Sequence, residues 1–147
     1  MNKIFIACPI SKYLNGHVFI NEHFKWFIDS LYQKCGNYAQ NVFLALEREE
    51  YGNRLMLEQC TQLDFEEMVD SDIVIAIPED SMGVAVELGW ASVMQKKILL
   101  VLNNGDHYSP LVARIGDISP TTIIWYEGEL NEKVLADVER YLNTIGR

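Results

Sequence analysis

The sequence predicts a single α/β domain built on a doubly wound, mostly parallel sheet of about five strands. Nearly continuous apolar runs recur along the chain, which is typical of strands that are buried on both faces of a parallel sheet. Amphipathic helical patterns lie between these runs, and parallel neighbours require such crossover connections. No repeat, low-complexity tract or linker divides the chain, so we expect one domain over residues 1–147.

The predicted strands are short runs that are rich in β-branched, aliphatic and aromatic residues. The clearest are "KIFIAC", "DIVIAI", "KILLVL" and "TTIIWY", at residues 3–8, 72–77, 97–102 and 121–126. The run "NVFLAL", at 41–46, is a weaker candidate. Strands of this kind with helices on both faces would give a flavodoxin-like or Rossmann-like arrangement.

Four segments show the spacing of amphipathic helices. In the segment 16–34, the apolar residues Ile20, Phe24 and Leu31 fall on one stripe. Gly36 is a plausible end of this helix. The other helices are predicted at 53–69, 82–95 and 129–143, with a short helix at 110–115.

Charge and composition exclude several classes of partner. The net charge is −9 and no long basic run occurs, so we expect neither a nucleic-acid polymer nor an anionic membrane as partner. The three cysteines lack metal-type spacing, which favours reduced thiols in a cytoplasmic protein. His17, His23 and His107 also lack ligand spacing, so we expect no metal and no other cofactor. The first apolar run is too short for a signal or a membrane-spanning helix.

In a doubly wound sheet, functional groups collect at the carboxyl ends of the strands, beside helix N-termini. Three loops qualify, "CPISKYLNG", "PEDSMG" and "NNGDHYS", which follow the runs at 3–8, 72–77 and 97–102. Because parallel strands end at the same edge of a sheet, we expect these three loops to open on one edge.

Glu87 stands out in the segment "PEDSMGVAVELGWA" because its sequence neighbours are small or apolar. Ser81 is a good N-cap, and Gly83 would let an anion approach the first turn of the helix closely. Glu87 lies one turn beyond Gly83 on the same helix face. A carboxylate with little polar cover needs partners or its pKa rises, and either outcome is typical of a functional acid, base or nucleophile. The alternative is that Glu87 lies on an exposed stripe and pairs with a lysine.

Four other acids lie close to these loops. Asp64 falls in the helix predicted at 53–69 and would reach the strand ends if it faces that edge. Asp70 and Asp72 are better explained as turn and cap residues between that helix and the next strand. Asp80 is a loop acid whose role the sequence leaves open.

The motifs on these elements resemble those of the nucleoside 2-deoxyribosyltransferase superfamily. The runs that carry the resemblance are "IFIACPIS", "QLDFEEMVDSDIVIAI", "SMGVAVELGWASVMQKKILLVL", "HYSPLVARIGD" and "IIWYEGEL", which together span most of the chain. The resemblance is strongest for the branch that contains the 2'-deoxynucleoside 5'-phosphate N-hydrolases and the CMP hydrolases. The segment 36–60 matches weakly, and we expect it to line the pocket for the base.

The resemblance implies a cofactor-free enzyme that breaks an N-glycosidic bond through an oxocarbenium-like sugar. Glu87 matches the family's nucleophilic carboxylate, which would form a glycosyl-enzyme that water then hydrolyses. Asp64 matches a second acid that helps to protonate or hold the departing base. The implied substrate is a small nucleotide or nucleoside.

The resemblance also implies a site for a 5'-phosphate. Ser81 occupies the position of a serine that the hydrolase branch has six residues before the nucleophile, and the helix amides with Ser11 and Lys12 could complete the site. The transferase branch tends to carry an acid in this place, and Asp80 would restore it after a shift of one residue. Lys12 corresponds approximately to an arginine of the hydrolases, and a solvated surface lysine is the alternative.

The first strand and the loop after it bear on the sugar. Phe5 stands where transferases and deoxynucleotide hydrolases commonly have a tyrosine, whereas CMP hydrolases resemble this chain there. A ribonucleotide is therefore favoured, unless Phe5 is simply part of the core; Tyr13 could supply a hydroxyl group from the loop instead. The substrate-binding residues expected in this strand and loop are Phe5, Cys8, Ile10, Ser11, Lys12 and Tyr13.

The family builds its sites across dimers, and a serine from the neighbouring subunit enters the site. Ser109 matches that serine approximately. Trp26 with Phe19 gives the first predicted helix a second apolar face, which indicates either a wide core contact or a dimer interface. We therefore expect a homodimer in which the site is shared between subunits.

Three functions stay open at this point. A nucleotide N-glycosidase is favoured by the combination of Ser81, Gly83, Glu87 and Asp64. A nucleoside 2-deoxyribosyltransferase would exchange bases between deoxynucleosides and would not need the phosphate. A non-catalytic nucleotide-binding module could have kept the fold, because fold alone does not fix function.

Overall fold

Strands and helices alternate along residues 1–146, which are the residues that the computed structural model describes. The strands are β1 (Lys3–Ala7), β2 (Leu14–Asn15), β3 (Val18–Phe19), β4 (Asn41–Leu44), β5 (Ile73–Ala76), β6 (Lys97–Asn103) and β7 (Thr121–Tyr126). The α-helices are α1 (Glu22–Cys35), α2 (Ala45–Arg48), α3 (Cys60–Asp70), α4 (Met82–Val93), α5 (Pro110–Ala113) and α6 (Glu132–Ile145). Single turns of 3₁₀ helix lie between them at Ser11–Tyr13, Glu50–Gly52 and Ile115–Asp117. Within this part of the chain, no helix has both the length and the apolar character that crossing a bilayer requires.

Five of the strands form one parallel sheet in the order β4-β1-β5-β6-β7, which confirms the predicted doubly wound α/β fold. β1 pairs with β4 on one side, where Ile4 lies opposite Val42, and with β5 on the other, where Ile4 lies opposite Ile73. The chain moves outward from β1 to β4 and then returns past β1 to β5, so the strand order reverses between β1 and β5. Ligands of such sheets bind outside the carboxyl ends of the strands at this reversal.

The sheet separates two apolar layers. Ile4 and Ile6 belong to the layer formed with α1 and α6, while Phe5 and Ala7 belong to the layer formed with α3 and α4. All four residues of β5 are buried. Because β5 contacts apolar side chains on both faces, its sequence is a continuous apolar run instead of an alternating one.

The four clear strand predictions agree with the structure to within one residue at each end, whereas the weaker one is wrong in its second half. β4 ends at Leu44, and the chain then turns into the short helix α2 instead of continuing as a strand to residue 46. A short apolar run does not distinguish a strand from a buried helix by periodicity alone. This difference places Arg48, the last residue of α2, beside the strand ends.

The helix predicted at 16–34 begins six residues later, at Glu22. The Asn21 side chain accepts a hydrogen bond from the backbone N–H of Phe24 at 2.9 Å and so fixes the start of α1. The residues before it form the antiparallel hairpin β2–β3 instead, with Gly16 at its turn in a left-handed conformation (φ +61°).

The helix predicted at 53–69 begins at Cys60, because Gln59 has a left-handed backbone (φ +62°) that interrupts a helix. The residues before Gln59 are irregular, and Glu50 and Tyr51 are also left-handed (φ +49° and +53°). This irregular segment contributes one wall of the cleft described below.

Gly52 holds the segment after α2 against the β2–β3 hairpin, and it provides a test of this packing. Its φ is +103°, and a Cβ atom there would lie 2.7 Å from Leu14 Cδ2 and 2.9 Å from the carbonyl oxygen of His17. We expect Gly52→Ala to lower the free energy of unfolding by about 2–4 kcal/mol, from the sum of left-handed strain and overpacking. Urea denaturation measures this change.

Gly128→Ala is the matched control. Gly128 also has a positive φ (+70°), but no atom lies within 4 Å of the position of an added Cβ atom. The control should lose only about 1 kcal/mol. Equal losses in the two variants would contradict the close packing of the hairpin on Gly52.

Candidate active site

A cleft of about 740 Å³ opens where β1 and β5 end, at the reversal of strand order. Its walls come from the loop after β1, the end of α2, the irregular segment before α3, the first half of α3 and the start of α4. Nine of the predicted site residues line it, namely Cys8, Ile10, Ser11, Lys12, Asp64, Asp80, Ser81, Gly83 and Glu87. The loops after β1, β5 and β6 all lie at one edge of the sheet, as predicted, because the three strands are parallel neighbours. The loop after β6 does not line this cleft; it borders a smaller cavity beside it.

Ser81 begins α4 as the sequence predicts. Its Oγ accepts a hydrogen bond from the backbone N–H of Val84 at 3.2 Å, and its own backbone is extended. The first-turn amides of α4, including that of Gly83, lie at the cleft, because Ser81, Met82 and Gly83 all line it. The start of α4 therefore offers backbone N–H groups and the positive end of a helix dipole to a ligand.

Glu87 lies on the second turn of α4, at the cleft and largely covered by protein. Burial, together with the nearby Asp64 carboxylate, raises the pKa of its carboxyl group to about 8, although the positive charge of Arg48 partly opposes this rise. No lysine makes an ion pair with Glu87 within residues 1–146. Burial and the Glu87 carboxylate also raise the pKa of the Cys8 thiol well above its ordinary value.

Asp64 faces the same cleft from α3, and Arg48 holds it from the end of α2. Nη1 of Arg48 donates to Oδ1 of Asp64 at 2.5 Å, and the guanidinium carbon lies 5.4 Å from the centre of the Phe43 ring. Burial raises the pKa of Asp64, and the pairing with Arg48 opposes that rise. The Nε–H of Arg48 is buried without a partner in the described residues, which costs about 1–3 kcal/mol.

Glu49 links this ion pair to the irregular wall of the cleft. The residue is 5% exposed, and its carboxylate accepts hydrogen bonds from Nη2 of Arg48 at 3.2 Å and from the backbone N–H of Met56 at 2.8 Å. Leu55, Met56 and Leu57 line the cleft beside it. Arg48 and Glu49 were not predicted as site residues, and the signal that could have found them is the charged run Glu47–Glu50 that directly follows the apolar run ending at Leu46.

Lys12, which the sequence suggested as a phosphate ligand, already has two anionic partners. Its Nζ lies 2.5 Å from Oε2 of Glu79 and 3.1 Å from Oδ1 of Asp80. Glu79 itself has a left-handed backbone (φ +44°), a conformation that is uncommon outside glycine. In this arrangement the charge of Lys12 is neutralised by carboxylates.

Tyr13 lies on the far side of Lys12 from the cleft. Its hydroxyl group is 2.7 and 2.8 Å from the two carboxylate oxygens of Glu79, and its ring stacks on Phe24 with centroids 4.1 Å apart. It lines a second cavity of about 220 Å³, which is also bounded by Lys12 and by Asn103 from β6. The Tyr13 hydroxyl therefore supports Glu79, and it is not placed toward the space beside Glu87.

Phe5 and Ser109 also lie outside the cleft. Phe5 is 1% exposed and packs on Phe43 with ring centroids 4.7 Å apart, so it belongs to the core. Ser109 is exposed and caps α5, where its Oγ accepts from the backbone N–H of Leu111 at 3.3 Å. The alternative interpretation of Phe5, as part of the core, agrees with its burial.

The charged side chains around the cleft are mainly acidic. Arg48 and Lys12 are the two bases that line it, and each is paired with carboxylates. The acids that line it are Glu49, Asp64, Asp80 and Glu87. Within the described part of the chain, no three His, Cys, Asp or Glu side chains are grouped so as to hold a metal ion. The arrangement can thus present two neighbouring carboxyl groups to a neutral or cationic part of a ligand, and backbone amides to an anionic part.

The raised pKa of Glu87 makes the stability of the fold depend on pH. Since this pKa is about 8 in the folded protein and about 4.3 in an unfolded chain, the folded protein binds more protons across that window. The free energy of unfolding therefore falls as the pH rises through it. We expect the wild type to lose at least about 1 kcal/mol more than Glu87→Gln between pH 5 and pH 8.5, measured by urea denaturation at both values.

Glu127→Gln is the control for this measurement, because Glu127 is exposed and outside the cleft. It should follow the pH dependence of the wild type. Parallel pH profiles for wild type and Glu87→Gln would show that the carboxyl group of Glu87 has an ordinary proton affinity in the folded protein.

Comparison with known proteins gives likenesses among solved structures alone. No protein-family model matches the chain, and no curated protein matches it. The structure is similar to that of the Clostridium botulinum CMP N-glycosidase BcmB, with a TM-score of 0.72 and 26% identity over 95% of this chain and 99% of that one. It is also similar to the solution structure of BlsM, with a TM-score of 0.75 and 27% identity over 97% of this chain and 88% of that one.

A conserved protein from Enterococcus faecalis V583 shares the fold, with a TM-score of 0.65 and 13% identity over 99% of both chains. At that identity the likeness concerns the fold alone. The first two likenesses extend over most of the chain, as do the motifs found in the sequence. The chain is thus similar in structure to a CMP N-glycosidase and to BlsM over most of its length, which agrees with the resemblance of its motifs to the CMP hydrolase branch of the nucleoside 2-deoxyribosyltransferase superfamily.

Proposed function

We propose that the protein is a nucleoside 5'-monophosphate N-glycosidase. It would cleave the N-glycosidic bond through a glycosyl-enzyme on Glu87 and release the free base and (deoxy)ribose 5-phosphate. The observation that carries this proposal is the pair of carboxyl groups, Glu87 and Asp64, on one cleft beside the N-terminus of α4. The similarity to a CMP N-glycosidase over most of both chains supports it.

In the first step, a carboxylate oxygen of Glu87 attacks C1' of the sugar. The bond between C1' and the base nitrogen breaks, its electron pair stays with the base, and Asp64 donates a proton to the base. In the second step, water attacks C1', the ester to Glu87 breaks, and Asp64 takes a proton from the water. Dividing the reaction into two displacements retains the configuration at C1', as in retaining glycosidases.

The base would lie between the ion pair and the apolar segment. Leu55, Met56 and Leu57 supply aliphatic surface along the cleft, and Arg48 with Asp64 supplies a donor and an acceptor at its floor. A planar heterocycle with polar edges fits this combination, because small-molecule sites pair apolar walls with a few placed polar groups. These three apolar residues lie in the segment 36–60, whose resemblance to the family is weak.

The phosphate would lie at the first turn of α4. Its oxygens would accept hydrogen bonds from backbone amides there, which also carry the positive end of the helix dipole. Lys12 would also bind the phosphate after its ion pairs with Glu79 and Asp80 are broken. Ser11 lies on the same side of the cleft, one residue before Lys12.

A second candidate function, a nucleoside 2-deoxyribosyltransferase, is favoured by one observation. Lys12 is held by Glu79 and Asp80, so the place for the phosphate carries two carboxylates and one ammonium group. An uncharged 5'-hydroxyl group would meet no repulsion there. In this candidate, Glu87 would form the same glycosyl-enzyme, and a second base would accept the sugar in place of water.

We also propose that two copies of the chain assemble through the outer faces of α3 and α4. Val86 and Val93 on α4 are 52% and 85% exposed, and Phe65 and Val69 on α3 are 41% and 48% exposed. Phe65 contacts Trp90 edge to face at 5.3 Å, so the two helices present one apolar surface. Apolar surfaces of this kind mark protein interfaces.

Incubation with a panel of 5'-nucleotides and the matching nucleosides tests the enzymatic proposal, with chromatography of the released base. We expect base release from at least one nucleotide. Glu87→Ala should lower kcat by at least about 10³-fold, because the nucleophile is lost. Asp64→Asn should lower it by about 10²–10⁴-fold, and by less for bases that leave readily as anions.

Glu127→Gln is the control and should keep wild-type activity. Base exchange between nucleosides in the presence of a free acceptor base, without any need for phosphate, would favour the transferase. Tight nucleotide binding in calorimetry without turnover would favour a non-catalytic binding module. Wild-type turnover in Glu87→Ala would refute the glycosyl-enzyme for either enzyme.

Light scattering coupled to gel filtration tests the assembly. We expect the wild type to elute with the mass of a dimer, and Val86→Asp to elute as a monomer, since a buried carboxylate opposes the apolar contact. Val18→Asp is the control, because Val18 is 65% exposed on the β2–β3 hairpin, away from α3 and α4. A wild type that is monomeric at assay concentration would refute the proposed interface.

A further inference from the structure

Arg48 contacts one of the two acids of the site and not the other. Its Nη1 lies 2.5 Å from Asp64 and its Nη2 lies 3.2 Å from Glu49, while no ion pair joins it to Glu87 within the described residues. The ring of Phe43 supports the guanidinium group at 5.4 Å. The planar fork of an arginine gives such contacts a direction that a lysine would lack.

Asp64 and Glu87 line the same cleft, and the Asp64 carboxylate raises the pKa of Glu87. The charged and titratable groups that face Glu87 are Asp64 from α3, Arg48 from α2 and the Cys8 thiol after β1. Those that face Asp64 from its own helix and from α2 are Glu67, Glu49 and Arg48. Two coupled carboxyl groups near neutral pH share one proton, and its position depends on which group the cation contacts.

We propose that Arg48 is a positioning residue that decides which of the two carboxyl groups holds the shared proton. While Arg48 is paired with Asp64, the proton stays on Glu87. When that pairing is broken, the proton passes from Glu87 to Asp64, so Glu87 becomes a carboxylate and Asp64 becomes a carboxylic acid. No proton is gained or lost by the pair in this exchange.

The proposal rests on the proposed function, because that function requires an ionised Glu87 and a protonated Asp64. While Arg48 is paired with Asp64 the assignment is the opposite, which makes Glu87 a poor nucleophile toward C1'. A substrate base with a carbonyl oxygen near Nη1 of Arg48 would compete with Asp64 for its hydrogen bonds. The Nε–H of Arg48 is buried without a partner in the described residues, so the guanidinium group has a donor that its present contacts leave unused.

Carbon-13 NMR of protein labelled at the glutamate carboxyl carbons tests the proposal without any turnover. The signal of Glu87 is identified by its absence in Glu87→Gln. In the wild type it should titrate near pH 8. In Arg48→Met, Asp64 loses its cation and takes the proton, so the midpoint for Glu87 should fall by about one unit or more, a tenfold change in proton affinity.

Asp64→Asn and Arg48→Lys extend the test if Arg48→Met folds poorly. Asp64→Asn removes the like charge, so the midpoint for Glu87 should fall as well. Arg48→Lys keeps the positive charge but loses the planar guanidinium group, so the midpoint for Glu87 should fall by less than in Arg48→Met. Arg54→Met is the matched control, because the Arg54 side chain is 74% exposed and pairs with Glu50 outside the cleft.

An unchanged midpoint in Arg48→Met would overturn the proposal, and so would an unchanged midpoint in Asp64→Asn or an equal shift in Arg54→Met. A rise of the midpoint in Arg48→Met would overturn it too, because the loss of the direct attraction between Arg48 and the Glu87 carboxylate would then outweigh any transfer of the proton to Asp64. These outcomes do not depend on catalysis. If no nucleotide or nucleoside is cleaved, the proposed function fails while the NMR titration still decides the position of the proton.

Discussion

β1 is hydrogen-bonded along both edges, to β4 on one side and to β5 on the other, and this double pairing determines where the site lies. Because the chain leaves β1 in one direction and later returns on the opposite side, the loops after β1 and β5 diverge and leave a cleft between them. The N-terminus of α4 follows β5 directly, so its amides and Glu87 both reach that cleft. The buried apolar layers on each face of the sheet keep these backbone positions fixed.

Much of this framework could be predicted from the sequence, because each part depends on local signals. Strands that are buried on both faces are apolar throughout, and the Ser81 cap marks the start of α4 through a short-range hydrogen bond. The unusual surroundings of Glu87 could be inferred from its apolar sequence neighbours, which leave a carboxylate little polar cover. Its high pKa follows from the same surroundings.

The remaining features depend on contacts between residues that are far apart in the chain. Arg48 and Asp64 are 16 residues apart in the sequence, and Lys12 and Asp80 are 68 residues apart. Neither pair therefore lies within one helix or strand, where residue spacing could have predicted the contact. The helix α2 was not predicted, because an apolar run of a few residues is compatible with a strand and with a helix equally well. Glu79 has a left-handed backbone, and its carboxylate contacts Lys12 and Tyr13. The sequence does not predict this conformation, because the residue is neither a glycine nor an asparagine.

Lys12 borders both the cleft of about 740 Å³ and the smaller cavity of about 220 Å³. The partition between the two spaces thus includes a flexible side chain that is held by ion pairs with Glu79 and Asp80. We expect rotation of that one side chain to change the boundary between the two spaces without any movement of the sheet. The space available to a ligand on this side therefore depends on the rotamer of Lys12 and on the ion pairs that hold it.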